Sequence, residues 1–180
     1  MDLRDAEALL AAALSAGPGV WIDFGAGTGT FTRALANRLG AGSRVYAVDR
    51  DRRAVASLAG KRWMRGVDVV PVLSDFTQPS PLPGVTASSI DGMLFANSLH
   101  FVAQPEVVLA RLMPLVRPGG SVVIIEYDGR RANRWVPHPL PSNSLADVLA
   151  KAGLQPPAIV GQRPSAYGGS LYVAVARRDA

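Results

Sequence analysis

The sequence predicts a doubly wound α/β fold: a mostly parallel sheet of about seven strands that finishes in a C-terminal antiparallel hairpin. Three observations predict it. Apolar runs five to seven residues long alternate with segments of helical periodicity along most of the chain. The first five of these runs are almost continuously apolar, as strands covered on both faces must be. The last two are separated only by a glycine-rich turn, Tyr167-Gly168-Gly169, which suits a hairpin. Right-handed crossovers between parallel strands then place helices on both faces of the sheet.

Each element follows from its own signals. Leu3, Ala6, Leu9, Leu10, Ala13 and Leu14 form a helical stripe that Gly17-Pro18-Gly19 stops, and Val20 to Phe24 follows as a short buried strand. A glycine-rich turn opens a helix over 30–39, closed by Gly40, and Arg44 to Val48 is the second strand, with Asp49 at its carboxyl end. The pattern predicts helix over 52–65, strand over 67–73, loop over the proline-containing 76–89 and strand over 90–96. Pro105 suits the first turn of a helix running toward Val116. Arg117-Pro118-Gly119-Gly120 then predicts a turn, with the glycine pair purely structural, before a strand over 121–127. A second proline-rich loop covers 128–142, a helix 144–152 ends at Gly153, and strands over 158–163 and 170–177 complete the hairpin.

The 180 residues suit one domain over 1–180, with 1–19 as an N-terminal cover helix and 20–180 as the core. Apolar residues make up 48% of the chain and charged residues 18%, which excludes a disordered chain. The absence of cysteine excludes disulfide frameworks, thiolate metal sites and cysteine nucleophiles. No apolar run approaches the roughly 18 residues of a membrane span. Asp2, Asp5 and Glu7 precede the apolar stretch 8–14 where a secretory leader carries positive charge, so a cytoplasmic protein is expected. The net charge of +5 is almost wholly arginine, since Lys61 and Lys151 are the only lysines. Arginine favours flat or bidentate partners such as carboxylate and phosphate.

Ligands of such sheets bind at the carboxyl ends of the strands, which here close on Asp23, Asp49, Asp75, Asn97 and Glu126. Gly25, Gly27 and Gly29 alternate between the first strand and its helix, so a ligand can approach the backbone closely. A dinucleotide fingerprint needs its last glycine at position 30, where Thr30 stands. No lysine has a tyrosine four residues before it, as a short-chain dehydrogenase requires. Neither the phosphate-loop string nor the Gly-x-Ser-x-Gly of a hydrolase occurs. An aspartate ahead of a helix is also an N-cap, a reading open to Asp49 and Asp51.

These residues resemble the class I S-adenosylmethionine-dependent methyltransferase family, a Rossmann-like family whose first motif is an acid followed by Gly-x-Gly-x-Gly. Asp23, Gly25, Gly27 and Gly29 match that motif, and the resemblance continues through Asp49, Ser74-Asp75-Phe76, Asp91 to Asn97 and Leu115 to Gly120, covering about 20–177. It implies S-adenosylmethionine as cofactor, with S-adenosylhomocysteine as product. It further implies a binding set of Asp23, Gly25, Ala26, Gly27, Gly29, Asp49, Arg50, Ser74, Asp75, Phe76 and Asn97. Asp49 would accept from the ribose hydroxyls, Asp75 from the adenine amino group, and Phe76 would lie against the base. Asp23, the backbone near Gly25 and Asn97 would hold the methionine end.

The resemblance implies methyl transfer by in-line displacement, for which a general base is optional. His100, just past the fourth strand, is the candidate base, and Tyr127 is the other candidate catalytic residue. Glu126 and Tyr127 end the fifth strand beside the same cleft. Arg130, Arg131 and Arg134 could hold an anionic group of the acceptor and Trp135 could stack on a planar ring; equally, the indole plugs the core edge and the arginines face water. His100, Glu126, Tyr127, Arg134 and Trp135 are thus the candidate acceptor-binding residues. His100 and His138 lack metal-ligand spacing, and no metal is expected.

Arg50, Arg52, Arg53, Lys61, Arg62 and Arg65 form a basic segment that makes nucleic acid the rival acceptor. Relatives that methylate base amino groups carry Asn/Asp-Pro-Pro-aromatic where this chain has Asn97-Ser98-Leu99-His100, so a small-molecule acceptor is preferred. An RNA methyltransferase and a non-catalytic cofactor-binding module are the alternatives. The site is expected to be closed by the N-terminal helix, by the loops after Asp75 and Tyr127, or by a second subunit, the protein being a monomer or a homodimer.

Overall fold

The computed structural model describes residues 1–166 and 168–179, so Tyr167 of the anticipated hairpin turn lies outside the described residues. The helices are α1 (Leu3–Ala13), α2 (Thr30–Leu39), α3 (Arg52–Ala59), α4 (Pro105–Leu112) and α5 (Ser142–Lys151). The strands are β1 (Val20–Phe24), β2 (Arg44–Asp49), β3 (Asp68–Leu73), β4 (Ile90–Ala96), β5 (Val116–Asp128), β6 (Ala158–Pro164) and β7 (Ser170–Arg177). They build one seven-stranded sheet in the order β3-β2-β1-β4-β5-β7-β6. Pairing is parallel from β3 to β5, and β7 runs antiparallel between β5 and β6. The doubly wound sheet with its C-terminal hairpin is therefore present.

Alternation along the strands divides the core into two layers. Ile22, Phe24, Val48, Met93, Phe95, Val122 and Ile124 face α4 and α5, meeting Leu109, Leu112, Leu145 and Leu149. Trp21, Val45, Leu94, Val123 and Ile125 face the opposite way, against Leu9 and Leu10 of α1 and Phe31, Ala34 and Leu35 of α2. A fully buried Leu or Phe contributes roughly 1.5–3 kcal/mol. These layers, rather than the exposed ion pairs such as Arg44–Asp68, hold the sheet in place. The connection after β1 enters α2 on one face and the connection after β4 enters α4 on the other, which opens a crevice between the carboxyl ends of β1 and β4. No helix among the described residues is long and apolar enough to cross a membrane.

Three elements differ from expectation. The helix expected to reach Arg65 ends at Ala59, because the chain beyond Gly60 turns back: Lys61 Nζ donates to the Thr28 carbonyl and Trp63 packs on Ala26 and Leu58. The helix after Pro105 ends at Leu112 and passes into a 3₁₀ turn over 113–115, where Pro114 has no N–H to continue the α-helical ladder. The turn expected at 117–120 is absorbed into β5, which starts at Val116. The register against β4 shifts between Ile90 and Gly92, and a side chain at Gly120 would meet Val116 Cγ1 at 2.4 Å.

Candidate functional site

A cleft of about 250 Å3 opens at the switch between β1 and β4, lined by Gly25, Gly27, Asp49, Arg50, Asp75, Phe76, Thr77, Asn97, Ser98 and Phe101. Its floor is the turn from β1 into α2. There Gly25 and Ala26 donate to the Val48 carbonyl at 2.9 and 3.0 Å, and Gly27 donates to Asp49 Oδ2 at 2.7 Å. Gly27 sits at φ +52 with only the Gly25 carbonyl, at 4.0 Å, near the place a Cβ would occupy. The turn thus presents bare backbone to the cleft. Asp49 Oδ1 accepts from Asp51 N at 2.8 Å, while Asp51 itself caps α3 by accepting from Arg53 N at 2.8 Å. Asp49 is therefore a wall of the cleft and Asp51 is the N-cap.

On the β3 side, Asp75 closes an Asx-type turn, accepting at Oδ1 from Thr77 N at 2.9 Å and Thr77 Oγ1 at 2.7 Å. Burial pushes its carboxyl up, but the Thr77 hydrogen bonds and the charges of Arg50 and Arg111 outweigh burial and hold it below the usual carboxylate value. Phe76 stands against Phe24 and Phe95, with ring centroids 5.5 and 5.7 Å away, and presents an aromatic wall. Arg111 of α4 fixes this wall from behind, donating to the carbonyls of Thr77 at 3.1 Å and Phe76 at 2.5 Å.

On the β4 side, Asn97 adopts φ +54, a conformation asparagine tolerates better than most residues, and its N–H donates to the Ile125 carbonyl at 2.8 Å. Asn97 Oδ1 and Ser98 Oγ are both buried and lack a hydrogen-bond partner among the described residues. An unpaired buried polar atom costs about 1–3 kcal/mol, so the pair is matched to a ligand that brings hydrogen-bond donors. Asp23 lies beneath the glycine turn, 1% exposed, accepting from Thr32 Oγ1 at 2.6 Å. Burial raises its carboxyl to about 7, against the Thr32 hydrogen bond and with help from the Asp49 charge.

A second cavity of about 610 Å3 adjoins the cleft, lined by Asn97, His100, Phe101, Tyr127, Arg130, Trp135 and Val136. Asn97 and Phe101 belong to both. His100, 3% exposed, is held by Glu126, which is fully buried. Nδ1 lies 2.7 Å from Glu126 Oε2, and the His100 N–H donates to Glu126 Oε1 at 3.2 Å. That contact makes Nδ1 the donor and leaves Nε2 as the imidazole's basic nitrogen. The Arg130 guanidinium rests 4.7 Å from the Tyr127 ring centroid, and that of Arg134 lies 3.8 Å from the Trp135 ring.

Of the sequence-predicted residues, Gly25, Gly27, Asp49, Arg50, Asp75, Phe76 and Asn97 meet on the first cleft, and His100, Tyr127 and Trp135 on the second. Asp23, Ala26, Gly29 and Ser74 lie outside the cleft lining: Gly29 caps α2 against Leu58, and Ser74 N donates to the Asp49 carbonyl at 3.0 Å. Glu126 supports His100 and does not line the second cavity, and Arg134, also off that lining, stacks on the Trp135 ring. The indole itself, 64% exposed, does not plug the core edge. The basic segment divides, Arg50 lining the cleft while Lys61 is bonded to Thr28. Sequence reasoning missed Thr77, Ser98, Phe101 and Arg111. Asp75-x-Thr77 carried a legible turn signal, and an arginine inside the apolar stretch 107–113 was a second.

A family model described as a methyltransferase domain matches residues 22–124. In Burkholderia thailandensis, 1,6-didemethyltoxoflavin-N1-methyltransferase, solved with 1,6-didemethyltoxoflavin and S-adenosylhomocysteine, is 28% identical with a TM-score of 0.71, covering 99% of this chain and 78% of that one. An Aquifex aeolicus S-adenosylmethionine-dependent methyltransferase shares the fold at a TM-score of 0.70 and 18% identity, over 95% of this chain and 89% of that one. A highly reducing polyketide synthase of Alternaria alternata is 30% identical over 114 residues, 59% of this chain but only 4% of the synthase.

Proposed function

The chain belongs to the methyltransferase-domain family and carries an S-adenosylmethionine-dependent methyltransferase domain; on that premise we propose that residues 1–180 act as one unit that methylates a small molecule held in the 610 Å3 cavity. One observation carries this reading: the cofactor cleft and the second cavity share Asn97 and Phe101, and His100 lines the second cavity. The similar 1,6-didemethyltoxoflavin-N1-methyltransferase, solved with 1,6-didemethyltoxoflavin bound, supports it.

The residues of the first cleft fit the cofactor. Asp49 accepts from the ribose hydroxyls, Asp75 from the adenine amino group, and Phe76 lies along the base. The unsatisfied Asn97 Oδ1 and Ser98 Oγ suit the methionine ammonium. Asp23 holds Thr32, and through it the start of α2, under the methionine end. When bound, S-adenosylmethionine supplies an electrophilic methyl carbon whose bond to sulfur breaks, leaving the neutral thioether, as the acceptor atom bonds to that carbon. His100 Nε2 receives the proton that the acceptor's O–H, N–H or acidic C–H gives up. Glu126 keeps the proton on Nδ1 and balances the imidazolium that forms. All of these residues come from a single chain, and a cysteine-free sequence accords with a cytoplasmic setting.

The test is labelled methyl transfer to a metabolite panel, run beside calorimetry with S-adenosylhomocysteine on the native chain and on Asp49→Ala. We expect transfer to at least one small molecule and a loss of about tenfold or more in affinity for the variant. Transfer to RNA alone replaces the acceptor reading, and unchanged affinity removes Asp49 from the site.

A further inference from the structure

Resting on the reading above, we propose that the acceptor is a planar aromatic anion, its ring sandwiched among the cavity's aromatic side chains and its carboxylate or phosphate paired with Arg130. Among the described residues the cavity lining supplies four rings, His100, Phe101, Tyr127 and Trp135, and one permanent charge, that of Arg130. Two of the rings are conspicuously bare: Phe101 is 49% and Trp135 64% exposed. Large aromatic faces left to water at a cavity mouth are what an inserted ring covers, and ring-on-ring contact adds about 0.5–1.5 kcal/mol per pair beyond the buried area. A cavity of about 610 Å3 accommodates one or two fused rings with a substituent.

Charge narrows the class. Among the described residues no carboxylate lines this cavity, whereas two, Asp49 and Asp75, line the adjoining cleft against one cation, Arg50. Cations are therefore drawn to the cleft and anions to the cavity. Arg130 is half-buried, is propped on the Tyr127 ring and enters no ion pair among the described residues. Its fork is available for a bidentate contact. Arg131 and Arg134 are exposed and off the lining, with Arg134 committed to Trp135, so the structure selects Arg130 from the three arginines of the loop. Tyr127 contacts both the His100 ring, at 5.8 Å between centroids, and the Arg130 guanidinium. An acceptor lying along it meets the base at one end and the cation at the other.

The test uses full-length protein first titrated with S-adenosylhomocysteine and then, once loaded, with 4-hydroxybenzoate, salicylate, their methyl esters and cyclohexanecarboxylate. Carboxylates on aromatic rings are expected to bind about tenfold more tightly than the esters and than the non-planar acid. Arg130→Gln is expected to erase the acid-over-ester preference while leaving S-adenosylhomocysteine affinity unchanged. Trp135→Ala is expected to erase the planar preference. Inorganic phosphate and phenyl phosphate distinguish the two anionic groups, and binding of either aromatic anion supports the class. Equal binding of acid and ester, no aromatic ligand bound, or a preference surviving in Arg130→Gln overturns this proposal alone. Failure to bind S-adenosylhomocysteine overturns the cofactor reading and this inference with it.

Discussion

Glu126 grips His100 at two points, its Oε2 2.7 Å from the imidazole Nδ1 and its Oε1 accepting the His100 backbone N–H at 3.2 Å. The pair joins β5 to the 3₁₀ turn after β4 in a nearly dry setting. Such a clamp fixes both the tautomer and the direction of the ring. His100→Ala is expected to lower kcat by roughly 10²–10⁴ without changing S-adenosylhomocysteine affinity, and added imidazole to restore part of the loss. Glu126→Gln is expected to lower kcat while KM holds. A raised KM at unchanged kcat takes the pair out of the chemistry.

Gly25 and Gly27 are two residues apart in one turn yet are required for different reasons. A Cβ at Gly25, φ +79, would stand 2.6 Å from Ser98 Cβ, whereas one at Gly27 comes no nearer to any neighbour than the Gly25 carbonyl at 4.0 Å. Gly25→Ala is expected to destabilise the fold by about 2 kcal/mol or more, as overpacking adds to backbone strain. Gly27→Ala is expected to cost about 1 kcal/mol but to lower cofactor affinity by an order of magnitude, since its methyl group occupies the cleft. Denaturant unfolding and calorimetry on the two variants separate these effects, and the same profile in both contradicts the assignment.

Asp23 links stability to pH. Burial raises its carboxyl to about 7 in the folded chain, so between about 4, the unfolded value, and 7 the folded state binds the extra proton. Its contribution is fully present below pH 4 and is lost as pH rises through 7, at up to about 1.4 kcal/mol per unit. Asp23→Asn keeps an acceptor for Thr32 and removes the titration. Relative to the native chain, the variant is expected to be roughly 2–3 kcal/mol better placed at pH 8 than at pH 5. Parallel stability curves in urea across that range would sink this account.

Arg111 reaches from α4 to the carbonyls of Phe76 and Thr77 without lining the cofactor cleft. Arg111→Met keeps the stem packed and deletes the two contacts. We expect cofactor affinity to fall about tenfold and amide exchange over 75–78 to accelerate, with α4 intact. Native exchange rates there show instead that the loop holds itself.

The strand-helix alternation, the glycine turn and the acids at the ends of β2 and β3 were legible in the sequence because they are local: apolar period, turn chemistry and the residue that ends a strand need no knowledge of distant contacts. Tertiary structure decided the rest. Glu126 and Tyr127 are adjacent in sequence and read alike as residues at a strand end, yet alternation points them to opposite faces, so one clamps His100 and the other lines the second cavity. Likewise the arginines at 130, 131 and 134 are equivalent as text, and only the path of their loop over Tyr127 brings the first to the cavity. Sequence by itself determined which elements form and at which rim of the sheet the glycine turn and the strand-end acids gather. Which side chains face one another across that rim depended on sheet register and loop packing, interactions between residues far apart in the chain that no local pattern encodes.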